Sequence, residues 1–146
     1  MRLEKDFFER TPEEVACDLL NSYVVREDAG QIKAMITETE AYRGRGRSDT
    51  GTMSEEAGTF YIYNLRGNPT LNITTGEEGD PECVLVREVE IDGQKYGPIQ
   101  TADELDIGWD WDGENVSGEG LYFDDGIFHE EVLNQENCAG RWSLEG

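Results

Sequence analysis

Positive charge is scarce in this chain. Of its 146 residues only 12 are Lys or Arg, against 33 Asp or Glu, for a formal net charge of -21, and there is one histidine, His129. Apolar residues are also sparse, at 36%, and low hydrophobicity with high net charge is the composition of chains that stay disordered. Apolar clusters nevertheless recur between turn signals, as at Val15 to Leu20, Phe60 to Tyr63 and Val84 to Val86, which is the punctuation of a folded chain. No run approaches the roughly 20 apolar residues of a membrane span, and the amino terminus lacks the apolar stretch of a secretory signal. The expectation is a cytoplasmic protein with no membrane partner. Three widely spaced cysteines, Cys17, Cys83 and Cys138, offer neither a metal pair nor a disulfide framework, so each reads as a small buried apolar residue in a reducing interior. The length suits one domain, residues 1-146, and is too short for two of ordinary size.

The acidity has three readings: adaptation to molar salt, where screening relieves self-repulsion; a surface that mimics nucleic acid or docks a basic partner; or a solvated face without further meaning. The charge is unevenly spread. From Glu88 onward sixteen acids face two bases, Lys95 and Arg141. Between Ala41 and Gly76, Arg43, Arg45, Arg47 and Arg66 outnumber Asp49, Glu55 and Glu56. A polyanion would be steered to that stretch, although arginines among glycines also suit a solvated loop.

Local patterns supply the elements. In Thr11-Pro12-Glu13-Glu14 the hydroxyl can cap the amide of Glu14, Glu14 can reach back, and proline occupies the first helical position. Val15, Ala16, Leu19 and Leu20 then fall on one face of a core helix that ends near Asn21 and Ser22. Strands are expected at Tyr23 to Val25 and from Ile32 onward, around the polar segment 26-30. The second strand continues through Ile36-Thr37-Glu38-Thr39-Glu40-Ala41-Tyr42. If it stays regular, Ile36, Glu38, Glu40 and Tyr42 share one face. Further strand-like runs lie at Thr59 to Leu65, Leu71 to Thr74 and Cys83 to Glu90.

Ile36-Thr37-Glu38-Thr39-Glu40-Ala41-Tyr42-Arg43-Gly44 resembles the strand signature of the alkyladenine (3-methyladenine) DNA glycosylases, in which the second glutamate is the general base. Other landmarks follow in that family's order: Gly58-Thr59-Phe60-Tyr61-Ile62-Tyr63, Leu71-Asn72-Ile73 and Val84-Leu85-Val86-Arg87, with weaker matches at Gly97-Pro98 through Ile107 and at Leu121 to Gly126. The resemblance spans about residues 1 to 126. It implies an α+β, β-rich single domain built on a curved, mostly antiparallel sheet with a few helices. It also implies a monomer acting on damaged double-stranded DNA without cofactor or metal, and a hydrolase for the N-glycosidic bond of alkylated or deaminated purines.

The residue roles carried over are Glu40 activating water; Tyr42, Tyr63 and Asn72 binding the extruded base; and Arg43, Arg45, Arg66 and Arg87 contacting DNA. A base inside a duplex is out of reach, so such an enzyme rotates the nucleotide out and holds the base against aromatic surfaces. An ionised Glu40 can take the proton of the attacking water and stabilise the cationic sugar. Tyr61 reads more readily as core than as pocket. Asn72 could equally border the base or satisfy backbone groups, and Arg87 could meet phosphate or pair with a carboxylate. Glu38, two residues from Glu40, could be held as an acid by its neighbour's charge or be a solvated strand residue. With Lys33 the only lysine near this region, no amine is at hand for Schiff-base chemistry and no lyase activity is expected.

The chain departs from the family pattern in several places: about thirty residues that relatives place between Gly93 and Gly97 are missing, and the lysine after the glycine-proline step is replaced within Ile99-Gln100-Thr101. The loop after Tyr42 has no histidine. Arg66, in Asn64-Leu65-Arg66-Gly67, stands where relatives wedge a tyrosine into the duplex, and a guanidinium plane can stack on bases and also meet phosphate. The family's carboxy-terminal arginine-glycine strand is not evident. Two rival functions remain: a non-catalytic acidic module that docks a basic protein, and a hydrolase acting on nucleosides in single strands.

Overall fold

The computed structural model describes residues 1-28, 30-44 and 51-126, together with the backbone of 141-143. Arg45 and Arg47 lie outside these residues.

Two short helices open the chain, α1 (Lys5-Phe8) and α2 (Pro12-Leu19). The start of α2 follows from its sequence: Thr11 accepts from the Glu14 amide at 3.2 Å, and the Glu14 carboxylate accepts from the Thr11 amide at 3.3 Å, closing a capping box that satisfies two otherwise orphaned donors. Val15, Ala16 and Leu19 are buried along one face. Asn21, in the left-handed region at φ 69°, turns the chain into the sheet.

Among the described residues, eight strands form a single sheet curled into a half-barrel: β1 (Tyr23-Arg26), β2 (Ile32-Arg43), β3 (Phe60-Leu65), β4 (Asn68-Thr74), β5 (Glu82-Ile91), β6 (Gln94-Tyr96), β7 (Leu121-Asp124) and β8 (Arg141-Ser143). The main path is β3-β4-β5-β2-β1-β7; β6 pairs with β5 and β8 with β2, all antiparallel. A third helix, α3 (Pro98-Glu104), packs on β4 and β5. The fold is the expected α+β, β-rich domain.

The concealed side of the sheet closes over the helices. Phe8, Phe60 and Phe123 are fully buried, and Phe123 packs against both others, with Phe8-Phe123 and Phe60-Phe123 centroids 5.4 and 6.0 Å apart. Ile36, Leu71, Ile73, Val84, Val86 and Val89 complete this core from the central strands. Thr39, fully buried, donates its hydroxyl to the Ala16 carbonyl at 2.8 Å, tying β2 to α2.

The outer strands are protected from further pairing. Residues 113-114 bond the backbone of Phe60 and the Asp112 carboxylate accepts from the Ile62 amide, while Leu3 and Asp125 bond across the amino-terminal segment beside β7. Capping edges in this way removes open templates for association.

Two strands exceed the expectation from sequence. β4 starts at Asn68, because Pro69 sits opposite Asn64 near the hairpin end, where a missing amide donor is tolerated. The β5-β6 hairpin turns at Asp92 and Gly93, both at positive φ (50° and 81°). Among the cysteines, Cys17 is disulfide-bonded, contrary to the expectation of no disulfide framework, and Cys138 lies outside the described residues. Spacing along the chain carries no record of which sulfurs tertiary folding brings together. Cys83 is free and buried. Among the described residues no helix is long and apolar enough to cross a membrane.

Candidate functional site

The open face of the sheet is set by a paired irregularity in β2 and β5. On β2 the core-facing residues run Ala34, Ile36, then Thr39; on β5 they run Val84, Val86, then Val89. Each strand thus advances three residues instead of two at the same level, where the register shifts between Ile36 and Thr39. Such a bulge re-aims the side chains that follow it. Ile36 is therefore buried on the core side, and the expected sharing of one face by Ile36 and Glu40 does not occur. Glu38, Glu40 and Tyr42 emerge on the opposite, open side.

Residues paired across antiparallel strands present their side chains to the same face. Tyr61 pairs with Asn72, Asn72 with Leu85 and Leu85 with Glu40, and Cys83 pairs with both Thr74 and Tyr42. The floor beside Glu40 is thus made of Leu85, Cys83 and Asn72, all buried, and its far rim of Tyr61 and Tyr63. These two rings meet edge-on with centroids 6.1 Å apart. Tyr42 and Tyr63 are 42% and 49% exposed, which is unusual for large aromatic rings flanking a carboxylate and leaves their surfaces free for a flat partner.

Glu40 is held from one side. The Tyr42 hydroxyl donates to its Oε1 at 2.8 Å, and Arg87 Nη1 lies 3.5 Å from the same oxygen. Among the described residues no hydrogen bond or ion pair reaches Oε2. Arg87 also approaches Glu38, Nε to Oε1 3.4 Å, so one guanidinium serves two carboxylates and offsets their mutual repulsion. Partial burial, then the hydrogen bond to Glu40 and its charge, push the Tyr42 phenol up to about 12. It is a donor throughout the neutral range.

Asn72 lies on the row between Glu40 and Tyr61. It is 4% exposed, its Nδ2 donates to the Thr70 carbonyl at 3.3 Å, and the Cys83 thiol donates to its Oδ1 at 3.9 Å. Burial pushes the Cys83 thiol up to about 12, so it remains protonated as that donor.

The arginines are distributed unequally. Arg87 belongs to the Glu40 cluster. Arg66 stands exposed at the tip of the β3-β4 hairpin, where it and Gly67 both have positive φ (54° and 86°), the geometry of a two-residue primed turn that ordinarily selects Asn or Gly at its first position. Among the described residues it makes no ion pair. Arg43 points to the α2 side, bonded to Glu13 by Nε and Nη2 at 3.1 and 2.5 Å and to Glu82 by Nη1 at 2.6 Å. Its guanidinium ties α2 to β5 across the end of β2.

Two features went unread in the sequence. Tyr61 faces outward beside Tyr63, as strict alternation with the buried Phe60 and Ile62 indicates. The carboxy-terminal strand β8, not evident in the sequence, pairs with β2 so that Arg141 stands opposite Glu40 in the backbone register; three residues are too few for a pattern to declare itself. A cleft of about 550 Å³ between α1, the residues leading into α2 and the segment 75-82 includes Arg43 but neither Glu40 nor Tyr42, and a second, of about 370 Å³, lies between the turn end of the β3-β4 hairpin and α3. Among the described residues no cluster of three or more His, Cys, Asp or Glu side chains is arranged to hold a metal ion.

Residues 6-104 match the family model of the methylpurine-DNA glycosylases, a span that contains β2 to β5 and every described residue of the Glu40 row. The chain belongs to the methylpurine-DNA glycosylase family. Its similarity extends to individual bacterial proteins named "Putative 3-methyladenine DNA glycosylase". The one from Anaeromyxobacter sp. (strain Fw109-5) is 34% identical over 142 residues, covering 86% of this chain and 73% of that protein. Those from Lactiplantibacillus plantarum and Shouchella clausii are 38% and 37% identical, over 63% and 60% of this chain. This chain spans about half the length of the latter two, 52% and 50%.

Proposed function

We propose that this member of the methylpurine-DNA glycosylase family hydrolyses the N-glycosidic bond of alkylated or deaminated purines in double-stranded DNA, with Glu40 activating the water. The observation that carries the reading is the state of Glu40: a carboxylate on an aromatic-rimmed open face, with Oε1 engaged by Tyr42 and Arg87 and Oε2 without a partner among the described residues. Water's oxygen bonds to the sugar carbon, its proton passes to Oε2, and the bond to the base breaks with its electron pair leaving on the base. The negative charge of Glu40 stabilises the positive charge that builds on the sugar. An alkylated purine already carries positive charge and leaves without an acid.

The rings of Tyr42 and Tyr63 sandwich the extruded base while Asn72 borders its edge. Arg66 enters the duplex from the hairpin tip, and Arg87 balances the charges around Glu40. Hydrolysis without strand cleavage is supported by the positions of the lysines: Lys5 and Lys95 are ion-paired with Glu56 and Glu88, and Lys33 pairs with Val25 at the β1 end of β2. With a net charge of -21, approach to DNA requires screening, and the Debye length of about 3 Å at 1 M salt provides it. Salt is therefore expected to raise activity, the reverse of ordinary counterion release.

The test is an excision assay in molar potassium chloride on duplexes containing hypoxanthine or 7-methylguanine, scored as abasic sites, with wild type beside Glu40→Gln. Wild-type release with a loss of at least about 100-fold in the variant is expected. Release by neither protein overturns the reading in favour of an acidic docking module; equal release by both removes Glu40 from the mechanism. Release from single strands alone replaces the duplex substrate and ends the wedge role of Arg66.

A further inference from the structure

The Tyr42 hydroxyl has a use that a stacking ring does not require. We infer that Tyr42 is a positioning residue for Glu40: by binding Oε1 it fixes the carboxylate's rotation and leaves Oε2 as the oxygen that takes the proton from water. This deepens the reading of Glu40 as the general base and rests on it.

Three observations converge. The two residues are neighbours on one face of β2, beyond the irregularity that turns both outward. The phenol-carboxylate bond is short, 2.8 Å, whereas the Arg87 contact to the same oxygen is 3.5 Å, so the phenol is the tighter of the two constraints. Arg87 is shared with Glu38 and cannot orient Glu40 alone. A glutamate side chain ending in an unconstrained carboxylate exchanges its two oxygens by rotation about its last bond; one charge-assisted hydrogen bond removes that freedom and distinguishes them. The same bond anchors the hydroxyl end of the Tyr42 ring beside Glu40, so the ring offered to a base and the oxygen offered to water are placed by a single contact.

The inference separates the ring from the hydroxyl, and Tyr42→Phe tests it because the stacking surface remains. Under single-turnover conditions in molar potassium chloride, Tyr42→Phe is expected to lower the maximal excision rate about tenfold, the scale of one hydrogen bond to a charged group. Its affinity for a duplex bearing an abasic site is expected to stay within about twofold of wild type. An unchanged rate overturns the proposal, and so does an affinity that falls as steeply as the rate, which would make Tyr42 a binding residue only.

A second measurement needs no activity. In protein labelled with carbon-13 at the tyrosine ring carbon bearing oxygen, the Tyr42 signal, identified by its loss in Tyr42→Phe, is followed as pH is raised. Glu40→Gln is expected to move the Tyr42 titration to lower pH, because the carboxylate's hydrogen bond and charge both oppose ionisation of the phenol. A titration identical in the two proteins overturns the pairing. Wild-type protein that excises nothing overturns the functional reading, and the positioning role with it, while the titration still reports whether the pair exists.

Discussion

Glu40 and Tyr61 stand at opposite ends of one row of side chains crossing four strands, from Tyr61 on β3 through Asn72 on β4 and Leu85 on β5 to Glu40 on β2. The chemistry proposed for this face depends on that row. Its floor is buried and rigid, and its two rims carry exposed rings, so a flat ligand finds aromatic surface on either side of a polar centre. Three further expectations follow from the residues that surround it.

Arg66 occupies a left-handed conformation that a residue with a long side chain adopts only at a cost of about 1 kcal/mol or more. Arg66→Asn keeps the turn and relieves the strain. Its urea midpoint in molar salt is expected to rise, corresponding to about 0.5-1 kcal/mol, while affinity for an abasic-site duplex falls roughly fivefold or more by fluorescence anisotropy. Gain of stability with loss of binding would identify a strained residue kept for its contact with DNA.

Arg43 presents the opposite case. Its guanidinium is committed to Glu13 and Glu82, with the carboxylates' hydrogen bonds and charges holding it protonated. Arg43→Ala is expected to lower stability by about 1 kcal/mol at low salt and by less in molar salt, where the pairs are screened. Duplex affinity should remain within about twofold. A tenfold drop in affinity would instead establish the phosphate contact that the basic sequence segment suggests.

Cys83 links stability to pH. Its folded thiol is raised by burial from the ordinary 9 to about 12, so the folded state holds a proton that the unfolded chain releases earlier. The stabilisation is complete below about pH 9 and is lost as pH rises towards 12, at up to about 1.4 kcal/mol per pH unit. Denaturation midpoints at pH 7, 9 and 11 should therefore fall more steeply for wild type than for Cys83→Ala. The comparison isolates the thiol from Tyr42, which ionises in the same alkaline range. Alkylation of folded protein at neutral pH should leave Cys83 unmodified.

Several features were legible because their determinants are local. The Thr11 to Glu14 capping box specifies where α2 begins through contacts within four residues. The alternation of Phe60 and Ile62 with Tyr61 and Tyr63 is equally local, although the expectation places Tyr61 in the core and the structure turns it outward. The Asp92-Gly93 step, a primed-turn pair, carries the same kind of local signal for the β5-β6 hairpin, which the strand expected at Cys83 to Glu90 does not include. Glu40 and Tyr42 share a face because they are two residues apart on an extended chain, and their hydrogen bond shows it.

The sequence by itself therefore determined the start of α2, the central strands, the family and the carboxylate with its adjacent ring, since capping, alternation and motif order are properties of neighbouring residues. Tertiary structure alone decided that Ile36 turns inward while Glu38 turns outward, because burying both Ile36 and Thr39 requires β2 and β5 to slip together at one level. It also decided that Arg43 clamps α2 to β5 and that β8 runs beside Glu40. Each of these joins residues far apart along the chain, and a pairing between strands is a choice among alternatives that only packing of the whole core resolves.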